Sequence, residues 1–486
     1  MTVLKQLQGT TVTKETGGVL YTTDYDYKQI SGRQTPLIEQ REVLANGDVV
    51  SGQRYSYDAL GNILGIYESE LIEGNQYRRP LAIYTYGDQN QLLTETIYTY
   101  EEDDTETTVY SYTYDTAGNI LTESKNGTVT KTYTYGNSQW NDLLTAFNGT
   151  AITYDGSGNP LNYVNGQRSY TNLTWQHGRD LTSVTVGGAT STYAYDMNGI
   201  RTRKTVNGVM HTYVTQNGKV VRETIGSGTT AQILDFIYDE SGKPFALVYT
   251  NGAADPVNYY YVLNLQGDVV GLLDETGEEI AVYTYTAWGE ILSVTNANGT
   301  AITSSTHIAN LNPLRYRGYY YDTETGFYYL QSRYYDPASH RFINADSYTS
   351  TDTTDAISCN MFAYCGNNPV IYGDDEGTDA VIVIDNNAAA GAGHIGFLVQ
   401  DEEGNWFHFY WGPYGDGGTT YCAITVSCVY PETWCKAYEG ELSLSAINAS
   451  GQYSGTYDEM IYLEGDFSES AEKTKKHLYG RKDFTI

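Results

Sequence analysis

The sequence has 486 residues and a formal net charge of −31 at pH 7. A chain of this length exceeds the size at which a single hydrophobic core usually keeps growing, so at least two structural units are expected. Its 40% hydrophobic content excludes a disordered protein, and its acidic character argues against binding to nucleic acid or to an anionic membrane. No apolar run is long enough to span a bilayer, and no motif implies a cofactor.

The composition favours β-structure. Tyrosine (49 residues) and glycine (50 residues) are abundant, whereas proline (10 residues) is scarce. Tyrosine packs well on a half-buried pleated surface, and glycine closes turns. Residues 1–20 are polar and strand-like and lack the basic-then-apolar pattern of a signal peptide. We therefore expect the chain to begin inside a β-repeat array, with an export signal upstream and a secreted or cell-surface location.

One pattern recurs along the first half of the chain: an aromatic residue, any residue, a second aromatic residue, Asp or Gly, a turn that contains Gly, and then Leu or Ile. Two clear copies are residues 55–64 (YSYDALGNIL) and 112–121 (YTYDTAGNIL). From Tyr114 to Tyr213 the second aromatic residues recur at intervals of about 20 residues. This regularity predicts a protein whose repeats stack along one direction.

The residue types of each repeat suit a β-hairpin that is half-buried. The two rings of Tyr-x-Tyr lie on one face of a strand because side chains alternate along it. The Asp then accepts hydrogen bonds from turn amides, and Gly or Asn adopts the positive φ that reverses the chain. A single hairpin is marginal, whereas stacked hairpins bury a continuous aromatic stripe. Residues 20–345 are therefore predicted to form one continuous antiparallel sheet with the rings inward. An ordinary β-sandwich with Tyr-rich hairpins is the alternative.

These motifs resemble the YD repeat of the Rhs/YD-repeat family. Residues 312–337 (NPLRYRGYYYDTETGFYYLQSRYYDP) are similar to a signature of the Rhs-associated core, and residues 360–370 (NMFAYCGNNPV) resemble the motif that closes it. The resemblance implies a mainly β fold, in which a spiralling antiparallel sheet forms a cocoon-like shell around a small C-terminal α+β domain. It implies a YD-repeat shell over 1–262, a core over 263–377 and an effector-like domain over 378–486.

In related cores, a pair of aspartates near the end of the core cuts the chain just after it. The resemblance makes Asp336 and Asp346 the candidates here, with Arg333 or Arg341 holding one carboxylate ionised. Two carboxyl groups that share a proton can act together, because one activates water while the other stays protonated. The alternative is that both aspartates only cap turns.

Two departures from the family pattern bear on this cleavage. The expected target, residues 374–378, has the sequence DDEGT, whereas the family usually has Asp-Pro-x-Gly-Leu. His340 also replaces the glycine that is usual in the family's G-R-F stretch. Self-cleavage therefore stays open at the level of sequence.

The terminal domain has a different pattern. Apolar runs predict strands at residues 379–385, 394–400 and 405–411, with the last two joined as a hairpin. A short strand is predicted at 459–465, and a helix with a serine cap and acidic first turn at 468–479.

A small-residue loop that delivers His394 to the head of an apolar strand resembles permuted papain-like hydrolases of the NlpC type. The resemblance implies that His394 is a general base, that His408 orients it, and that a cysteine on a later helix attacks a peptide, amide or acyl carbonyl. A tight turn would put His394 and His408 on opposite faces, and a bulge at Gly404 would restore a common face. A structural histidine is the alternative for His394.

The nucleophile has no clear candidate. Cys422, Cys428 and Cys435 lie in a segment that resembles a strand rather than the start of a helix. We therefore expect the chain to end just short of its nucleophile, which makes the domain a truncated or inactive hydrolase. With Cys359 and Cys365 the cysteines number five, and they fit neither a zinc framework nor a clear disulfide framework.

Three functions are compatible with these features. The favoured one is a polymorphic toxin of bacterial competition, in which a shell encloses and delivers an effector, with an immunity protein and a secretion or delivery machinery as partners. The second is a cell-surface or wall-associated adhesion protein without catalysis. The third is a metal-dependent effector that uses His394, His408 and nearby acidic residues, for which a ligand motif is lacking.

Overall fold

The structure is a computed structural model. It describes residues 7–14, 18–30, 33–69, 78–100, 104–346 and 360–374, and the backbone of five strands between residues 379 and 464. The chain divides into two compact units. The larger unit comprises Met1–Asp115, Asn119–Ala345 and Phe362–Gly373, and the smaller unit comprises Thr116–Gly118, Asp346–Met361 and Asp374–Ile486.

The larger unit contains three antiparallel sheets in which each strand pairs with its neighbours in chain order. The first sheet has 12 strands: β1 (Gly9–Thr13), β2 (Val19–Ile30), β3 (Arg33–Ala45), β4 (Asp48–Tyr57), β5 (Ile63–Glu68), β6 (Pro80–Tyr86), β7 (Leu92–Tyr100), β8 (Thr105–Tyr114), β9 (Ile120–Lys125), β10 (Thr128–Thr134), β11 (Ala146–Phe147) and β12 (Thr150–Ala151). The second sheet has 14 strands: β13 (Thr153–Tyr154), β14 (Pro160–Val164), β15 (Ser169–Gln176), β16 (Asp180–Val186), β17 (Ala189–Tyr195), β18 (Arg201–Val206), β19 (Val209–Gln216), β20 (Lys219–Ile225), β21 (Gln232–Tyr238), β22 (Pro244–Asn251), β23 (Val257–Leu263), β24 (Val269–Leu273), β25 (Glu279–Tyr285) and β26 (Ile291–Thr295). A short helix, α1 (Ile308–Leu311), precedes the third sheet, which has four strands: β27 (Tyr320–Asp322), β28 (Phe327–Leu330), β29 (Arg333–Asp336) and β30 (Arg341–Phe342).

The mainly β, antiparallel fold is confirmed, but the expectation of one continuous sheet over residues 20–345 is wrong. The first break lies at Ile152, between β12 and β13. These two short strands are consecutive parts of one extended segment, so no turn exists that could pair them. β12 pairs back to β11, and β13 pairs forward to β14. The chain therefore passes from one sheet to the next at Ile152, whose side chain is buried.

The turn of each repeat is built as its sequence predicts. The Asp58 carboxylate accepts hydrogen bonds from the amides of Leu60 and Asn62, both at 2.8 Å, and from the Asn62 side chain at 2.7 Å. Gly61 adopts the positive φ of 91° that the turn requires. The Asn62 side chain also donates to Asn90 Oδ1 of the next turn at 2.6 Å, so consecutive turns are linked.

The two aromatic residues of each repeat have different roles. In the repeat at β4, Tyr55 is buried, whereas Tyr57 is half-buried and its hydroxyl donates to the Ile38 carbonyl of the preceding repeat at 2.6 Å. The pairing register shifts just before Tyr57 and leaves Leu64 as an extra residue. The same bond to a preceding carbonyl recurs in six further repeats of the described chain: Tyr86 to Ile63, Tyr114 to Leu92, Tyr135 to Ile120, Tyr195 to Leu181, Tyr238 to Val220 and Tyr285 to Val269. The predicted inward placement of the rings is confirmed.

The signature of the Rhs-associated core forms the interior of the larger unit. Trp288, Tyr335 and Tyr364 are fully buried, and the rings of Tyr335 and Tyr364 stack with centroids 4.0 Å apart. The Tyr335 hydroxyl donates to the Trp288 carbonyl at 2.7 Å. Shell tyrosines such as Tyr112 and Tyr163 belong to the same hydrophobic cluster, so the core motif supplies the surface on which the repeats pack.

The smaller unit contains a five-stranded antiparallel sheet in the order β34-β33-β32-β31-β35. Its strands are β31 (Asp379–Asp385), β32 (His394–Gln400), β33 (Trp406–Tyr414), β34 (Tyr421–Thr425) and β35 (Glu459–Glu464). The four strands predicted from apolar runs are thus present. The helix predicted at 468–479 lies outside the described residues. Among the residues that are described, no helix has the length and apolar character needed to cross a membrane.

Candidate functional site

Asp336, the first aspartate of the predicted cleavage pair, is the last residue of β29 and is fully buried in the larger unit. Its carboxylate accepts hydrogen bonds from the Tyr163 hydroxyl at 3.0 Å, the Asn165 side-chain amide at 3.1 Å and the Ala338 backbone amide at 3.1 Å. Tyr163 and Asn165 lie on or just after β14, so a shell strand fixes the position of this core carboxyl group.

Burial dominates the electrostatics of Asp336. It raises the pKa of the carboxyl group to about 6, although hydrogen bonds from Asn165, Ser339 and Tyr163 favour the charged form. Near neutral pH this carboxyl group can therefore both hold and release a proton. One member of an aspartyl pair needs this property.

The second aspartate, Asp346, is half-buried and belongs to the smaller unit. Its backbone amide donates to the Met361 carbonyl at 2.9 Å. Asp374, the first residue of the predicted target, is buried and also belongs to the smaller unit. The rest of the target, residues 375–378, lies outside the described residues. The pairing of Asp336 with Asp346 therefore stays a prediction.

The two candidate arginines lie in the core motif. The Arg333 guanidinium lies over the ring of Phe342, 3.6 Å from its centroid. Arg341 donates to the Tyr135 hydroxyl at 2.9 Å and to the Asp142 carbonyl at 2.7 Å. Arg341 therefore ties the core to the repeats, and a role for Arg333 in holding an aspartate ionised stays a prediction.

The histidines of the predicted hydrolase site lie on two paired strands of the smaller unit. His394 begins β32 and pairs with Asp385 of β31, whereas His408 of β33 pairs with Leu398. Leu398 is four positions further along β32 than His394, so the two histidines are not cross-strand partners in this register. Cys422 lies on β34, which β33 separates from β32, and the catalytic roles stay predictions.

Two buried ionic clusters in the larger unit were not predicted from the sequence. In the first, Asp322 accepts hydrogen bonds from Arg201 at 3.0 Å and from Lys204 at 2.9 Å, and all three side chains are buried. The Arg201 guanidinium lies 4.2 Å from the ring centroid of Tyr329 and 5.1 Å from that of Tyr320. Arg201 occupies the strand position that Ile120 holds in the repeat at β9, where the side chain is buried. The sequence places a charge at this inward position but does not identify Asp322 as its partner.

The second cluster contains donor atoms that could hold a metal ion. Glu123, Glu290 and His340 place one donor atom each within 4.8 Å of the others. From the sequence, His340 is notable only because it replaces a glycine that is usual in this stretch. The two glutamates are far away in the chain, and only the fold brings them to the histidine.

The fold and the core motif together define a YD-repeat β-shell protein. Residues 5–370 match the family model described as Teneurin YD-shell, and the chain therefore belongs to the teneurin YD-shell family.

Two relatives illustrate the range of proteins that are similar to this chain. The tRNA3(Ser)-specific nuclease WapA of Bacillus spizizenii is 36% identical over 318 residues, which are 64% of this chain and 12% of that protein. The toxin subunit YenC1 of Yersinia entomophaga is 26% identical over 418 residues, 74% of this chain and 40% of that protein. The chain thus spans only a part of the length of these relatives.

A solved structure shows the same fold. The crystal structure of TcdB2-TccC3-Cdc42 matches with a TM-score of 0.57 and 20% sequence identity, over 75% of this chain and 19% of that chain.

Proposed function

We propose that this chain is the shell portion of a polymorphic toxin that carries and delivers a C-terminal effector. The observation that carries this proposal is that proteins with different named activities each match nearly two thirds of this chain, 64% and 63% in two cases. A tRNA nuclease is 36% identical to it, and the double-stranded DNA deaminase toxin A of Burkholderia cenocepacia is 25% identical over 331 residues. Because one fold serves unrelated activities, the shared part acts as carrier and the activity lies outside it.

The effector in this proposal is the segment that follows the core. It contains the five-stranded sheet β31–β35 and has His394 at the head of β32. We infer a hydrolase of peptide, amide or acyl bonds, with His394 as base, from its resemblance to papain-like enzymes. A secreted location, a delivery machinery and an immunity protein belong to the same proposal.

Self-cleavage would release this effector. Burial raises the pKa of Asp336 to about 6, so near neutral pH a fraction of the molecules carries a proton on this carboxyl group. In the proposed step, an ionised Asp346 removes a proton from water, and the water oxygen attacks a carbonyl carbon within residues 374–378. Asp336 then gives its proton to the departing amide nitrogen, so that the peptide bond breaks and a carboxylate and an amine remain.

The experiment that tests self-cleavage measures the intact mass of the purified full chain. The wild-type protein should appear as two fragments with a break within residues 374–378. Asp336→Asn and Asp346→Asn should each appear as one intact chain with an unchanged circular dichroism spectrum. Asp274→Asn, in the turn between β24 and β25, is the matched control and should be cleaved like the wild type. A single intact mass for the wild-type protein would reject the step.

The effector assignment has its own test. Bacterial growth is followed while the chain is expressed in the cytosol, once as it stands and once with a C-terminal extension that supplies a cysteine. The proposal expects no inhibition by the chain as it stands, because it lacks a clear nucleophile, and it expects inhibition by the extended chain that His394→Ala relieves at equal protein levels. Equal growth with the extended chain and with its His394→Ala variant would count against a histidine-dependent effector and would leave the shell assignment intact.

A further inference from the structure

Two carboxylates and an imidazole converge in the interior of the larger unit from three distant parts of the chain. Glu123 lies on β9, Glu290 lies in the turn before β26, and His340 lies in the turn between β29 and β30. The His340 Nε2 is 3.2 Å from Glu123 Oε2 and 3.5 Å from Glu290 Oε1. The three donor atoms lie within 4.8 Å of one another.

These separations match a tetrahedral metal centre. Donor atoms that bind one zinc ion at about 2.0–2.2 Å lie roughly 3.3–3.6 Å apart when the geometry is tetrahedral. The two distances from His340 Nε2 are close to this range. Imidazole and carboxylate groups are also the ligand types that suit zinc and related divalent ions.

His340 is held in position by its surroundings. Its ring stacks on Trp288 with centroids 4.8 Å apart and an interplanar angle of 19°, and Tyr112 contacts it edge-on at 5.5 Å. The side chain is almost fully buried, and its Nε2 faces the two carboxylates. Packing therefore fixes one imidazole nitrogen toward Glu123 and Glu290.

Lys131 already places a positive charge among the donors. Its Nζ is 2.6 Å from Glu290 Oε1, 2.9 Å from Glu123 Oε2 and 3.3 Å from His340 Nε2. The carboxylate oxygens of Glu123 and Glu290 and the Nε2 atom of His340 therefore already surround one cationic group. The Lys131 side chain is 13% exposed, so its flexible stem can withdraw toward solvent.

A fourth carboxyl group, that of Glu95, is close enough to the cluster for its charge state to respond to the two glutamates. Glu95 is buried, and its Oε1 accepts the Ala287 amide at 2.7 Å. In the described part of the chain its Oε2 has no hydrogen-bond partner. Burial, and to a lesser degree the negative charges of Glu123 and Glu290, raises the pKa of Glu95 to about 8, so Glu95 adds little negative charge near neutral pH. The carboxylates of Glu123 and Glu290 together carry one negative charge more than the Lys131 ammonium group neutralises, and a divalent ion would balance both.

We propose that Glu123, Glu290 and His340 form a binding site for a divalent transition-metal ion of the zinc type, which competes with the Lys131 ammonium group. The ion would join β9, the turn before β26 and the turn between β29 and β30. It would therefore cross-link the repeats to the core motif.

The test uses Co²⁺ and Zn²⁺ with the full chain. Co²⁺ should give the visible absorption of a tetrahedral complex, and Zn²⁺ should abolish it. Lys131→Met removes the competing charge and should tighten Zn²⁺ binding by about tenfold or more, as measured by titration calorimetry. Adding Glu123→Gln or His340→Gln to Lys131→Met should weaken binding by about 10–100-fold.

The matched control is His177→Ala, which removes an exposed histidine that pairs with Asp180 and should leave binding unchanged. Circular dichroism shows that each variant is folded. The proposal is overturned if the wild type gives no tetrahedral Co²⁺ spectrum, or if only Lys131→Met binds, because Lys131 would then be the permanent occupant. It is also overturned if binding survives both Glu123→Gln and His340→Gln.

Discussion

In seven repeats of the described chain the second tyrosine donates a hydrogen bond to a preceding carbonyl, which phenylalanine would lose. The Tyr114 hydroxyl donates to the Leu92 carbonyl of the preceding repeat at 2.6 Å. Tyr114→Phe removes this bond and leaves the carbonyl without that donor. One such bond contributes about 1 kcal/mol net, and an acceptor left without a partner costs up to about 3 kcal/mol. We therefore expect Tyr114→Phe to lower the free energy of unfolding by about 1–3 kcal/mol.

Tyr133 is the matched control because its hydroxyl is buried yet has no hydrogen-bond partner among the described residues. Tyr133→Phe keeps the ring and removes a polar group whose burial is unfavourable, so stability should stay the same or rise. Urea unfolding of the full chain, followed by near-ultraviolet circular dichroism, compares the two variants through their midpoints at unchanged slope. If Tyr133→Phe destabilises the protein as much as Tyr114→Phe does, the two tyrosines do not have the roles described above.

Three further changes test other parts of the structure. Asp322→Asn leaves Arg201 and Lys204 buried beside a neutral group and should cost about 3–5 kcal/mol in thermal or urea unfolding, so a loss below about 1 kcal/mol would contradict the buried ionic cluster. The pKa of Glu95 in the folded protein is about 8, above its ordinary value of 4.5, chiefly because of burial. The folded state therefore binds this proton more tightly, and the stability that Glu95 contributes is fully present below pH 4.5 and is lost as the pH rises through about 8. Glu95→Gln should remove a loss on the order of 3–5 kcal/mol over that range, and an unchanged pH profile would exclude a buried titrating carboxyl group. Asp155→Ala removes acceptors for two turn amides and one side-chain amide, at 2.8–3.0 Å, and should cost about 1–2 kcal/mol, whereas an unchanged midpoint would contradict the turn assignment.

The parts of the fold that local sequence determines were predicted well. The alternation of Tyr-x-Tyr along a strand and the Asp-x-x-Gly-Asn turn both act within one repeat, so the inward rings and the Asp58–Asn62 turn could be foreseen. The break at Ile152 could not, because it depends on which neighbour each half of one extended segment pairs with. The same reason hides the bond from Tyr57 to Ile38, which joins two different repeats.

The residues of the candidate sites also differ in whether the local sequence reveals them. Asp336 was found through its motif, but the rise of its pKa comes from burial against β14, which the sequence does not reveal. Glu123, Glu290 and His340 are so far apart in the chain that only the packing of the core motif on the repeats brings them together. The pairing register of β32 and β33 also could not be read from the sequence. If the loop between the two strands were one residue longer or shorter, a different residue of β32 would pair with His408.

The central proposal, that a shell carries an enclosed effector, is tested most directly by limited proteolysis of the native full chain with trypsin. The terminal segment offers cleavage sites at Lys436, Lys473, Lys475, Lys476, Arg481 and Lys482. Enclosure predicts that these sites stay uncut in native buffer, whether or not the chain has cleaved itself, and that they are cut once urea unfolds the larger unit. Rapid cleavage at these sites while the larger unit remains folded and intact would contradict the account.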